Sequence, residues 1–79
     1  MVSRGQIGNS MRELRGASEN MTQAELAARI GVTRQTVIAI EHGKYSPSLE
    51  TAFRIAQVFG KPLTSVFSYA PGSPGQGTG

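Results

Sequence analysis

Thr22 to Gly43, TQAELAARIGVTRQTVIAIEHG, carries two complete helix-start signals in succession, and no other stretch restricts the fold as much. Thr22 has the side chain of an N-cap, and Glu25 three residues on completes a capping box. In that arrangement each residue satisfies a backbone N–H of the other. Met21 before the cap and Leu26 within the helix make a hydrophobic staple. Ala24, Ala27, Ala28 and Arg29 are good helix formers, and Leu26, Ala27 and Ile30 share a face. Gly31 then stands where a left-handed residue ends a helix. Two residues later Thr33 caps again, Val32 and Val37 supply a second staple, Val37 and Ile40 point inward, and Gly43 closes the helix. A connection of only about three residues forces a steep crossing rather than an antiparallel hairpin.

The flanking sequence supplies the rest of a core. Ile7, Met11 and Leu14 recur at helical spacing, which predicts a first helix from about Ile7 to about Ser18, weakened near its end by Gly16. After the Lys44–Pro47 loop, Ser48 caps a fourth helix carrying Leu49, Ala52, Phe53, Ile55, Ala56 and Phe59, the most apolar of the chain, and Gly60 stops it. Pro62 opens a short fifth helix with Leu63, Val66 and Phe67 inward. Phe53, Phe59 and Phe67 are expected in the core. Residues 1–6 read as a flexible arm with Arg4 exposed, residues 7–69 as the folded domain, and residues 70–79, APGSPGQGTG, as a disordered Gly/Pro-rich tail.

Composition narrows the chemistry. Seventy-nine residues make one small domain. The absence of cysteine excludes disulfides and thiolate metal sites and fits a reducing, cytoplasmic setting. No apolar run approaches a membrane span and no signal-peptide core is present, so no membrane partner is expected. With no Asp and a single histidine, His42, that has no partner to orient it, no catalytic or metal constellation can be assembled, and an enzyme is not expected. Eight Lys and Arg against five Glu give a net charge of +3, compatible with a polyanionic partner.

With Gln23 at its first position, Leu26, Ala27, Ile30, Gly31, Val32, Val37 and Ile40 fall in the slots of a helix-turn-helix pattern. The chain resembles the Cro/C1-type, or Xre, helix-turn-helix family from about Ile7 through Phe67. MRELR, MTQAELAARIGV, TRQTV, IEHGKYSPSLETAFRIAQVFG and the closing VF carry the likeness. The resemblance implies an all-α, compact five-helix, lambda-repressor-like domain. It also implies a sequence-specific regulator of transcription, foremost a repressor, that binds double-stranded DNA as a homodimer on a palindromic operator without a cofactor.

Carried over by position, Arg34, Gln35, Thr36 and Ala39 would contact bases. Arg suits guanine, Gln suits adenine, and the Thr and Ala methyls suit thymine. Thr22, Gln23, Thr33, Lys44, Tyr45 and Ser46 would contact the DNA backbone, the first two at the positive end of their helix. Arg15 and Glu41 occupy positions that form a structural ion pair in the family. Three features depart from the pattern. The Leu14–Thr22 segment is one residue longer, Ile38 places an exposed apolar side chain beside the reading face, and Pro62 replaces a polar cap. Tyr69 is read as covering the core or joining Leu63 and Val66 in a dimer patch. A second functional reading is an antitoxin or adaptor whose main partner is another protein, such as a toxin or co-regulator.

Overall fold

Five helical segments and a two-stranded ribbon follow one another along the computed structural model, which describes residues 6–70. The order is β1 (Gln6–Asn9), α1 (Met11–Ala17), α2 (Gln23–Ile30), α3 (Arg34–Glu41), α4 (Leu49–Phe59), α5 (Leu63–Val66) and β2 (Phe67–Ala70). The expected five-helix, all-α layout is therefore corrected: the fold is mostly helical, its fifth helix is a single turn, and a small antiparallel sheet joins the two ends.

That sheet replaces the first turns of the expected first helix. Gln6 pairs with Ala70, Ile7 with Tyr69, Gly8 with Ser68 and Asn9 with Phe67. Locally, Gly8 disfavours helix and Ile7 favours strand. The Asn9 side chain then competes with helical hydrogen bonding, its Oδ1 accepting from the Met11 amide at 3.1 Å. Helix α1 begins only after this turn, and the Ser10 amide donates to the Val66 carbonyl at 2.9 Å. Gln6, assigned to the arm, and Ala70, assigned to the tail, thus belong to the ribbon; the remainder of those two segments lies outside the described residues.

The core gathers Met11, Met21, Leu26, Ala27, Ile30, Val37, Ile40, Ile55, Ala56 and Val66, and no polar or charged residue is buried among the described residues. Leu14, Val32, Val58, Phe59, Leu63 and Phe67 pack around it, half-buried. Phe53 does not join them. It is 50% exposed and Leu49 is 68% exposed, because the buried stripe of α4 runs through Ala52, Ile55 and Ala56. Leu49 and Phe53, four residues apart, share a neighbouring stripe that faces outward.

The α2–α3 crossing is built by its caps. Thr22 Oγ1 accepts from the Glu25 amide at 3.0 Å while Glu25 Oε1 accepts from the Thr22 amide at 2.8 Å. Gly31 takes φ 77°, in the left-handed region where a glycine carries little steric cost, and the Val32 amide closes back on the Ala27 carbonyl. Thr33 then caps α3, its Oγ1 accepting from the Thr36 amide at 3.2 Å. The longer α1–α2 connection is accommodated by Glu19 and Asn20 in succession at φ 57° and 55°. Among the described residues no helix is long and apolar enough to cross a membrane.

Candidate nucleic-acid interface

The first turn of α3 projects from the surface. Arg34 and Gln35 are exposed, Thr36 and Ala39 are half-buried, and Lys44, Tyr45 and Ser46 lie exposed in the loop that follows. Thr36 is not a free hydroxyl: its Oγ1 lies 3.0 Å from that of Thr33, so the helix cap and this side chain share one hydrogen bond. Either hydroxyl can donate in that bond, so Thr36 keeps its methyl and at least one lone pair for a ligand. Ile38, expected to be exposed, is half-buried. It sits within about 60° of Glu41 around the helix, at the border of the buried face rather than on the outer one.

Beside this turn a cleft of about 570 Å³ opens between α1, the start of α2 and α3. It is lined by Arg12, Arg15, Thr22, Gln23, Ala24, Arg34, Glu41 and His42. The steep helix crossing brings Arg15 to Glu41 although 26 residues separate them. Arg15 Nε donates to Glu41 Oε2 at 2.6 Å, Arg15 Nη2 donates to Oε1 at 3.0 Å, and Arg15 Nη1 donates to the Met21 carbonyl at 2.9 Å. Gln23 Nε2 donates to Glu41 Oε1 at 3.1 Å. Burial alone would raise the Glu41 pKa. The hydrogen bonds from Arg15 and Gln23, with the charges of Arg15 and His42, outweigh it and hold the carboxyl below its ordinary value.

The consequence is electrostatic. A bare carboxylate in this cleft would repel phosphate, but the Arg15 guanidinium neutralises Glu41 in a bidentate grip. Arg12 and Arg34 are left as the outward cationic lining, with the His42 side chain beside them, next to the backbone amides at the start of α2. Gln23 spends one amide hydrogen on Glu41 and keeps a second for a ligand. Arg12 and His42 did not emerge from the sequence as interface residues. Arg12 stands one turn before Arg15 on α1, a spacing that would have placed it on the same side, and His42 caps the C-terminus of α3.

The chain from Met11 to Val66 matches the family described as helix-turn-helix. The chain belongs to that helix-turn-helix family. Within it, the chain is 55% identical over 53 residues to an uncharacterized HTH-type transcriptional regulator of Methanocaldococcus jannaschii, covering 67% of this chain and 80% of the relative. It is 37% identical over 62 residues to the cryptic phage CTXphi transcriptional repressor RstR of Vibrio cholerae, covering 78% of this chain and 55% of the repressor. A solved chain from Bacteroides fragilis described as a candidate DNA-binding protein shares the fold, with a TM-score of 0.68 at 19% identity over 78% of this chain and 98% of its own. The family and the names of these relatives are those of regulators, not enzymes. Within the family pattern, α2 and α3 are the two helices of the motif.

Proposed function

We propose that the chain is a sequence-specific, double-stranded-DNA-binding regulator of transcription that lays α3 in the major groove. The observation that carries this reading is the exposed Arg34–Gln35 pair on the first turn of α3, beside a cleft whose free charges are cationic. In the major groove each of these side chains can make a bidentate bond to a base. Gln23 and Thr22 at the start of α2 and Thr33, Lys44, Tyr45 and Ser46 around α3 serve the DNA backbone, with Arg12 and His42 added to them. The protein works as a homodimer on half-sites about one helical turn apart. Leu49 and Phe53, outward and unpartnered on α4, favour pairing of two copies through that face. Val66 is withdrawn from the dimer patch first read from the sequence, since it is 1% exposed. Repression is the mode that a relative's description favours.

The test compares two substitutions. Arg34→Ala should lower affinity for a selected site roughly tenfold or more and relax base preference at one position. Lys44→Ala should weaken binding to all duplexes alike and reduce the slope of affinity against salt by about one phosphate. Equal binding of the selected site by the Arg34→Ala protein would remove α3 from base reading.

The protein-partner reading draws on a separate feature. Ile7 and Tyr69 face each other across the ribbon at 39% and 63% exposure. Tight stoichiometric binding to a protein, with only weak DNA affinity, would make that partner the main one.

A further inference from the structure

We infer that Asn9 is a positioning residue for DNA reading, pinning the C-terminal end of α3 to the base of the ribbon. The inference rests on the proposal that α3 reads bases. Asn9 Nδ2 reaches 31 residues along the chain to donate to the Ile40 carbonyl at 3.1 Å, and it lies 3.4 Å from the Glu41 carbonyl. These are among the last carbonyls of α3; the Ile40 carbonyl also accepts from the Gly43 amide at 3.0 Å, so Asn9 adds a second, long-range bond to it. On its other side Asn9 Oδ1 accepts from the Met11 amide at 3.1 Å. The two contacts fix the orientation of the amide, because a flipped group would set its NH2 against an N–H and its oxygen against carbonyls. The backbone of Asn9 is itself held opposite Phe67 in the ribbon. One half-buried side chain therefore joins the start of α1, the end of α3 and the paired termini of the domain.

This matters because of how α3 is otherwise held. Val37 and Ile40 are buried and set the distance of the helix from the core. Apolar contact is non-directional, however, and leaves the fine placement of the helix end to its polar contacts. Direction comes from hydrogen bonds, and among the described residues the side-chain bonds to α3 beyond its N-cap are the Arg15–Gln23–Glu41 group and Asn9. An eight-residue helix is only roughly 12 Å long, so a shift at its end is transmitted to Arg34 at its start. A base contact at Arg34 tolerates little displacement, because hydrogen bonds weaken outside a donor–acceptor range of roughly 2.7–3.2 Å. Backbone contacts from mobile surface cations tolerate far more.

Binding by the full chain separates these consequences. The wild type, Asn9→Ala and Asn9→Gln are compared on a duplex selected by the wild type and on a random-sequence duplex, at one salt concentration. Circular dichroism fixes a temperature at which each variant is folded. Asn9→Ala removes the pin, while Asn9→Gln keeps donor and acceptor but moves them by one methylene. In both, the ratio of selected-site to random affinity should fall roughly tenfold while random-duplex affinity stays within about twofold of the wild type. Asn9→Gln decides the matter should the alanine variant fail to fold. A folded variant with the wild-type ratio, or with both affinities falling in parallel, overturns the role. A wild-type chain that selects no sequence removes the premise instead, and so tells the two failures apart.

Discussion

Removing Arg15 tests whether the crossing of α2, α3 and α1 is held by the ion pair at its centre. The Arg15 side chain is 14% exposed and that of Glu41 6%, so Arg15→Met leaves a largely covered carboxylate in the cleft wall with Gln23 as its remaining side-chain donor among the described residues. Loss of one partner of a fully buried pair costs about 3–5 kcal/mol; this pair is half-buried, lines the cleft and keeps the Gln23 bond, so the expected cost is at the lower end, about 3 kcal/mol. For a domain of this size each kcal/mol moves the thermal midpoint by roughly 4–8 °C, so the expected loss is roughly 12–24 °C. Arg15→Met/Glu41→Leu removes both charges and should recover most of it, giving a coupling of about 2–3 kcal/mol in the double-mutant cycle. Thermal unfolding followed by circular dichroism reads all four proteins. A single-variant loss below about 1 kcal/mol, the range of solvent-exposed pairs, would refute the claim that this pair is structurally central.

Two further predictions concern stability. Glu41 has a folded pKa below its ordinary 4.5, so its contribution is fully present above that value and is lost as pH falls through the folded pKa. The thermal midpoint should therefore decline as pH is lowered from about 6 to about 3, and Glu41→Gln should flatten part of that decline; an equally steep curve in the variant would contradict it. Glu19 holds φ 57° in succession with Asn20. Glu19→Gly should raise stability by about 0.5–1 kcal/mol in denaturant unfolding, since glycine meets no Cβ clash there, and a lower stability would show that the turn carries little strain.

The α2–turn–α3 unit was legible because every signal in it is local: Thr22 with Glu25, Gly31, and Thr33 with Thr36 act across three or four residues. The ribbon was not, because Ile7 finds its partner Tyr69 at the other end of the chain. Ile7, Met11 and Leu14 happen to fit a helical stripe, so periodicity alone cannot separate a strand followed by a helix from one longer helix. Asn9 was invisible for a related reason, since its asparagine gains meaning only when α3 ends beside it. Phe53 was misplaced because an apolar residue on an apolar helix looks internal until the face chosen by Ile55 and Ala56 is known. Beside the cleft, Arg34 and Gln35 could be named from their place after a cap. Which cations stay free could not, because that depends on Glu41 taking Arg15 and leaving Arg12.

The central claim is that α3 reads DNA sequence, and selection of bound duplexes from a random pool at near-physiological salt tests it most directly. A palindrome whose half-sites lie about one helical turn apart should be enriched. Retention of duplexes without any enriched sequence, or with affinity that tracks salt alone, would contradict it.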